Sequence, residues 1–138
     1  NLGSFKCIIN KSVFSIKNIL NKSSRLPLEK NKRKNISVLV SKSHLSKETI
    51  EFCNNLKNYF GDVKLKSVGS SLKLCFLAEG IAEYYPRLSP LMEWDIAAGY
   101  VICKNSNIII TDILNNKIKF NKRNLLVESF IAKNKHFQ

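Results

Sequence analysis

The strongest constraint on the fold is an alternation of strand-like and helix-like segments that begins at Ile36. The run 36–40 is apolar and rich in β-branched residues, as a buried strand requires. The segment 46–60 then carries apolar residues every three or four positions, which is the period of one buried helix face. Ser46 is a suitable N-cap for this helix, and Gly61 is a suitable C-terminal stop. This part of the chain therefore has the strand–helix–strand pattern of an α/β protein.

The same alternation continues to the end of the sequence. Asn115 and Asn116 separate two strand-like runs, which predicts a β-hairpin. The predicted strands are 63–67, 81–85, 108–114, 117–120 and 125–132, and the predicted helices are 70–79, closed by Gly80, and 94–104. Strands that alternate with helices in this way predict an α/β fold with a mixed β-sheet flanked by helices.

The helix over 70–79 is apolar nearly all round and is expected to be deeply buried. The residues for which we predict burial are Leu74, Phe76, Leu77, Ala97 and Ala98.

The first 35 residues are less regular. Gly3-Ser4-Phe5 is typical of the end of a strand, and 21–35 is polar and basic, which indicates an exposed loop. We therefore predict that 1–35 is a partial strand and a basic polar connection, followed by an α/β domain over 36–138.

The composition limits the functional classes. The 138 residues carry a net charge of +13, mostly from lysine, which suits a phosphate-bearing or nucleic-acid partner. The lysines are scattered along the chain, which weakens the nucleic-acid interpretation. The four cysteines form no CxxC pair and are expected to be free thiols in a reducing cytoplasm. No apolar run is long enough for a transmembrane segment, and the start at Asn1 rather than Met suggests a fragment, a processed product or a trimmed chain.

One segment has the composition of an anion cradle, namely Gly69-Ser70-Ser71-Leu72-Lys73. It connects a predicted strand to a predicted helix, whose first turn has unpaired N–H groups and a positive dipole end. The serine hydroxyls add donors, and Lys73 adds a charge. The alternative is an ordinary serine N-cap, with Lys73 extending to solvent.

Three further residues are candidates for ligand or metal binding. Asp95 opens a helix, where it is either a cap or a carboxylate ligand for Mg²⁺. Arg87 follows a strand and offers a planar fork for phosphate, unless it is simply a surface arginine. His44 could donate to a phosphate or stack near a base. There is no GxSxG, P-loop or HExxH motif, so a nucleophilic triad is not indicated.

These residues belong to a pattern that resembles the C-terminal half of the inositol monophosphatase superfamily, in particular its CysQ-type 3'(2'),5'-bisphosphate nucleotidase branch. The pattern consists of Gly69-Ser70-Ser71-Leu72-Lys73-x-Cys75, Ala78-Glu79-Gly80, Tyr85-Pro86-Arg87 and Trp94-Asp95-x-Ala97-Ala98-Gly99. The resemblance implies a layered α/β fold in which 36–138 is the substrate-binding domain. It also implies that Asp95 is a ligand of a catalytic Mg²⁺ and that His44, Ser70, Lys73 and Arg87 contact the nucleotide.

The family's Asp-Pro-x-Asp-Gly-Thr motif and Glu-Glu pair do not occur in this sequence. The resemblance therefore places no catalytic residue here and implies a partner, an N-terminal half that would be in cis in the full protein. It implies a cytoplasmic Mg²⁺-dependent phosphatase, or one attached peripherally to the inner membrane, that acts on adenosine 3',5'-bisphosphate in sulfur metabolism. We expect the isolated chain to be inactive. The alternatives are an inositol-phosphate phosphatase, a basic nucleic-acid- or anion-binding module, and a non-catalytic remnant.

Overall fold

A computed structural model describes residues 3–9, 15–28, 35–41 and 45–137. Its helices are α1 (Ile16–Lys22), α2 (Lys47–Phe60), α3 (Leu72–Glu79) and α4 (Glu93–Lys104). Its strands are β1 (Phe5–Lys6), β2 (Ser24–Arg25), β3 (Ile36–Ser41), β4 (Val63–Val68), β5 (Tyr84–Arg87), β6 (Leu91–Met92), β7 (Ile108–Thr111), β8 (Leu126–Val127) and β9 (Phe130–Asn134).

The centre of the fold is a five-stranded sheet in the order β4-β3-β5-β9-β7. Strand β3 pairs in parallel with both β4 and β5, whereas β9 pairs antiparallel with both β5 and β7. The predicted mixed sheet flanked by helices is therefore confirmed. The parallel strands are joined through helices, as a parallel pair requires.

The two faces of the sheet support separate apolar clusters, because successive side chains of a strand point to opposite faces. Val38 of β3 and Tyr84 of β5 belong to the cluster that includes Cys53 and Leu56 of α2. Leu39, the neighbour of Val38, belongs instead to the larger cluster that holds the buried residues of α3 and α4. Helix α2 therefore covers one face, and α3 and α4 cover the other.

The limits of α2 are set as the sequence predicts. The Ser46 hydroxyl accepts a hydrogen bond from the Thr49 N–H at 3.3 Å. At the other end, Gly61 has a φ of 76° and donates its N–H to the Lys57 carbonyl at 2.9 Å. Such a positive φ favours glycine. The predicted stop at Gly80 is also confirmed, since Gly80 lies in the left-handed region after α3.

The predicted hairpin of strands 108–114 and 117–120 is wrong. Strand β7 ends at Thr111, and 117–120 retains only a single bridge, between Thr111 and Lys117. The reason is the Asp112 carboxylate, which accepts hydrogen bonds from the Leu114 and Asn116 N–H groups, each at 2.8 Å, and so closes a local turn in place of a ladder. The predicted strand 125–132 is divided between β8 and β9.

The burial predictions for α3 and α4 are confirmed only in part. Leu74 and Leu77 are buried, but Phe76 is half-buried, and Ala97 and Ala98 are exposed. Leu72 is also 53% exposed, so α3 is not buried all round. A helix that is apolar on every side gives no sequence signal for which side faces the sheet.

Helix α1 was not predicted. The Ser15 hydroxyl caps it by accepting from the Asn18 N–H at 3.2 Å, and Ile16, Ile19 and Leu20 have helical spacing, but the helix is seven residues long and none of them is buried. The segment after it is held against the rest of the fold, because Leu26 is buried in the larger cluster and the Leu28 N–H donates to the Glu79 carbonyl at 3.1 Å. The division of the chain at residue 35 stays a prediction.

None of the helices in the described part of the chain is both long enough and apolar enough to cross a bilayer.

Candidate functional site

A cleft of about 390 Å³ lies where β4 and β5 end and α3 and α4 begin. The carboxyl ends of parallel strands are a common position for ligand sites in α/β folds. Four of the five predicted site residues line this cleft, namely Ser70, Lys73, Arg87 and Asp95. The fifth, His44, lies outside the described residues. The structure therefore brings together four side chains that are up to 25 positions apart in the sequence, while the roles predicted for them stay predictions.

The serine-rich turn that leads into α3 leaves its donors available. Ser70 has a positive φ of 46°, and Ser71 occupies the cap position without a side-chain cap hydrogen bond. The alternative of an ordinary serine N-cap is therefore not what forms. The Leu74 N–H donates to the Ser71 carbonyl at 3.0 Å, whereas the N–H groups before it receive no cap from the Ser71 side chain. This end of α3 can consequently donate to an anion in the cleft.

Lys73 is buried, with 3% of its surface exposed, so its side chain does not extend to solvent as the alternative interpretation required. Its ammonium donates to the Val68 carbonyl at 3.1 Å and to the Ser70 carbonyl at 3.0 Å. It also lies 5.2 Å from the centre of the Tyr85 ring, within the range of a cation–π interaction. Burial lowers the pKa of Lys73, and the charge of Arg87 lowers it further. Lys73 therefore holds the turn around Ser70 and places positive charge beside the cleft.

Arg87 is the last residue of β5, and its guanidinium contributes a second positive charge to the cleft. Its Nε is buried and has no hydrogen-bond partner within the described residues. A buried donor without a partner costs about 1–3 kcal/mol. Arg87 also lines a smaller cavity of about 270 Å³ beside Ser46 and Thr49, and its guanidinium can donate to phosphate or carboxylate oxygens.

Tyr85 is a site residue that the sequence analysis did not single out. It is buried and lines the cleft, and its ring meets that of Phe130 edge-on with centroids 5.3 Å apart. Burial raises the pKa of its hydroxyl to about 12. The sequence could have indicated Tyr85 through its spacing from Arg87. The two residues are two positions apart on one strand, so their side chains share a face of the sheet.

Asp95 is exposed and lies in the first turn of α4, where its side chain caps the helix. Its Oδ2 accepts a hydrogen bond from the Met92 N–H at 3.1 Å, so the cap role considered from the sequence does form. Its other oxygen, Oδ1, is in no hydrogen bond with the described residues and is the atom available to a cation. The neighbouring Glu93 is not available in this way, since it is buried and accepts from the Asn121 N–H at 2.6 Å and the Lys122 N–H at 3.1 Å.

Whether Mg²⁺ fits this site depends on how many carboxylates surround the cleft. Mg²⁺ requires near-octahedral oxygen coordination. Over the described ranges, no three His, Cys, Asp or Glu side chains are grouped as a metal centre needs. The carboxylate of Asp95 can supply one ligand, so this part of the chain does not hold the ion by itself.

A larger groove of about 920 Å³ lies elsewhere, between the turn at Asp112 and strand β8. None of the predicted site residues lines it. We assign the site to the smaller cleft because charged and polar groups converge there, which is the feature that distinguishes a binding site from a surface depression.

Comparison with known families decides the classification. The inositol monophosphatase family matches residues 2–138, almost the whole chain. The chain belongs to this family. The resemblance to this family that the sequence indicates is therefore confirmed.

The chain is similar to curated proteins of one named activity. The chain is 36% identical over 94 residues to the 3'(2'),5'-bisphosphate nucleotidase CysQ of Salmonella typhimurium. It is 41% identical over 68 residues to the protein of the same name from Buchnera aphidicola. The Salmonella match covers 68% of this chain but 35% of that relative, so the chain corresponds to about a third of its length.

Solved structures give the same result for the fold. CysQ from Bacteroides thetaiotaomicron superposes with a TM-score of 0.85 at 35% identity, covering 96% of this chain and 51% of that one. An inositol monophosphatase from Thermotoga maritima superposes with a TM-score of 0.62 at 18% identity, which supports the fold alone.

Proposed function

We propose that this chain is the nucleotide-binding half of a Mg²⁺-dependent phosphatase that removes the 3'-phosphate of adenosine 3',5'-bisphosphate. The single observation that carries the proposal is a cleft lined both by Arg87, whose Nε has no hydrogen-bond partner among the described residues, and by the start of α3, where Ser71 makes no side-chain cap. Both features suit a phosphate group. The name of the CysQ relatives, 3'(2'),5'-bisphosphate nucleotidase, supports a bisphosphorylated nucleotide as the substrate.

The residues of this chain have three tasks in the proposed reaction. Arg87 and the first turn of α3 bind a phosphate of the nucleotide, and Lys73 fixes the turn that carries Ser70. Asp95 contributes one carboxylate oxygen to the metal site. Mg²⁺, when bound, neutralises charge on the phosphoryl group and acidifies a water molecule. The other metal ligands come from the remainder of the family fold, so we expect no release of phosphate by 1–138 alone.

We also propose a cytoplasmic location and a role in the nucleotide recycling of sulfur metabolism. The cysteines Cys7, Cys53, Cys75 and Cys103 are all free, as expected of a protein that works in a reducing compartment.

Binding by the chain itself tests the proposal without requiring turnover. We expect adenosine 3',5'-bisphosphate to bind in isothermal titration calorimetry and Arg87→Ala to weaken it by about tenfold, as expected for the loss of a charge-assisted contact. Arg123→Ala is the matched control, because Arg123 is exposed and does not line the cleft. It removes the same charge and should leave the affinity within about twofold, the change expected from a distant surface charge in salt.

Two results would contradict the proposal. Equal affinity for inositol monophosphate would favour the inositol-phosphate alternative. Binding to generic DNA with a steep dependence on salt, lost equally in both variants, would favour a basic nucleic-acid-binding module.

A further inference from the structure

Helix α4 begins with a buried carboxylate that the proposed reaction does not use. Glu93 has 7% of its surface exposed, and each of its two carboxylate oxygens accepts a hydrogen bond from the backbone. The donors are the consecutive N–H groups of Asn121 and Lys122, at 2.6 Å and 3.1 Å. Hydrogen bonds to an ionised group are about twice as strong as neutral ones. Glu93 therefore attaches segment 121–125 to the first turn of α4.

The same segment is attached to this end of α4 at two further points. The Glu93 N–H donates to the Leu125 carbonyl at 2.9 Å. The preceding residue, Met92, pairs with Leu126 in the ladder between β6 and β8. Asn121 and Leu125 have positive φ angles of 66° and 51°, which are uncommon for residues other than glycine and persist only where surrounding contacts fix them. The segment is consequently held in its conformation by its contacts with α4.

These attachments lie directly beside the cleft. Trp94 and Asp95 are the next two residues of α4, and both line the cleft. The Asp95 carboxylate accepts from the Met92 N–H at 3.1 Å, so the residue that orients Asp95 is itself paired to β8. The ends of helices fray, in contrast to their middle turns. The position of these two cleft residues therefore depends on the contacts that Glu93 makes.

We propose that Glu93 is a positioning residue for the cleft. By binding two N–H groups of segment 121–125, it fixes the first turn of α4 in the arrangement that receives the nucleotide, and with it Trp94 and Asp95. This inference rests on the proposed function, which places the nucleotide in the cleft. Glu93 itself touches neither substrate nor metal, because it is buried, does not line the cleft and has both oxygens occupied.

The alternative is that Glu93 only stabilises segment 121–125. The two roles differ in what becomes mobile when the hydrogen bonds of Glu93 are lost. If Glu93 only holds the segment, residues 121–125 gain mobility while α4 stays rigid, because the buried residues of the helix still pack into the fold. If Glu93 positions the cleft, the backbone of Trp94 and Asp95 gains mobility as well.

Glu93→Gln separates these roles. The side chain keeps its size, but one oxygen is replaced by an NH₂ group that cannot accept a hydrogen bond from the opposing N–H. Glu93→Asp keeps the charge and both oxygens on a shorter side chain, so its effects should be intermediate, and it decides the test if the glutamine variant does not fold. Glu128→Gln is the matched control, because Glu128 is exposed and does not line the cleft.

Backbone ¹⁵N relaxation of the chain without nucleotide is the first measurement. An order parameter of about 0.85 marks a rigid backbone, and a value below about 0.6 marks a flexible one. We expect the Trp94 and Asp95 amides to fall from the first value towards the second in Glu93→Gln, while the amides of β9 stay rigid and show that the fold is intact. In Glu128→Gln all of these amides should keep the values of the unmodified chain.

Isothermal titration calorimetry with adenosine 3',5'-bisphosphate is the second measurement. We expect Glu93→Gln to weaken binding by about fivefold, which is less than the effect of Arg87→Ala because Glu93 acts only through its neighbours. The affinity of Glu128→Gln should stay within about twofold of that of the unmodified chain, as expected for a distant surface charge in salt.

Three results would overturn the inference. One is mobility confined to 121–125 in Glu93→Gln, with Trp94 and Asp95 still rigid. Another is an equal affinity for the nucleotide in Glu93→Gln and Glu128→Gln. The third is the absence of binding by the unmodified chain, which would overturn the proposed function as well. The first two results leave the proposed function intact, so its failure and the failure of this inference are distinguishable.

Discussion

The two faces of α4 have similar composition but different surroundings. The inner face, with Ile96, Gly99 and Cys103, is packed against α3 and the sheet, whereas the outer stripe of Trp94, Ala97, Ala98 and Val101 is exposed. The inner face therefore contributes to the stability of this chain, and the outer one can contribute only when another structure covers it. The exposed face also adjoins the candidate site, because Trp94 and Asp95 both line the cleft.

The largest effect is expected at Asp95, in an enzyme that joins this chain to the rest of the family fold. Asp95→Asn keeps an oxygen for the Met92 N–H but removes the negative charge, so it separates the cap from the metal ligand. We expect turnover to fall by about 100-fold or more, because charge stabilisation of the transition state is lost. The measurements are phosphate release and thermal unfolding of the same preparation. Unchanged turnover would mean that Asp95 is a helix cap alone.

Gly99 on the inner face comes next. Gly99→Ala places a Cβ against Leu74 and should destabilise the chain by about 1–3 kcal/mol, the usual cost of overpacking, measured by urea unfolding. Ala97→Ser on the outer stripe is the comparison, with an expected cost of about 0.5 kcal/mol or less. Equal losses for the two variants would show that the faces do not differ in packing.

The inner face should also make the chain less stable in alkali. Burial raises the pKa of the Cys103 thiol from 9.0 to about 12. Between these values the unfolded chain has released this proton and the folded chain has not, so stability falls as pH rises. From pH 9 to 10 the loss should be about 1 kcal/mol, since one pKa unit corresponds to about 1.4 kcal/mol. Urea unfolding of Cys103→Ala should show a smaller decline over this range, and an identical decline would contradict the assignment.

The smallest effect is expected on the outer stripe of the chain by itself. Val101→Asp should change the free energy of unfolding by no more than about 0.5 kcal/mol, as is usual for an exposed position. A loss of 2 kcal/mol or more in chemical denaturation would mean that the stripe is already buried in the isolated chain, which would remove the difference between the two faces.

The sequence predicted the parts of the fold in which one face is apolar and the other polar. Helix α2 has such a pattern, with Ser46 and Gly61 at its ends, and it forms within the predicted limits. Ala97 and Ala98 were wrongly predicted to be buried, because a helix that is apolar all round carries no information about its orientation. Helix α1 was missed because seven residues are too few to establish a helical period, although Ile16, Ile19 and Leu20 have that spacing.

For the candidate site, the sequence indicated which residues line the cleft better than how those residues are arranged. The shared motif indicated Ser70, Lys73, Arg87 and Asp95, and these residues do line one cleft. The sequence could not show that Lys73 is buried against two carbonyl groups, because that depends on how β4 ends and α3 begins. The same is true of the Arg87 Nε, whose lack of a hydrogen-bond partner among the described residues is a property of packing.

The position of β9 in the sheet bears on how the chain is made. It lies between β5 and β7 and pairs with both, although it is the last of the strands in sequence. A growing polypeptide can pair β3, β4 and β5 early, but β7 has no neighbour in the sheet until residues 130–134 are synthesised. The larger apolar cluster, which includes Phe130 and Ala132, is likewise open until then. Assembly of this sheet is therefore deferred until residues 130–134 are synthesised, and a chain terminated before Phe130 exposes the pairing edges of two strands to other nascent chains.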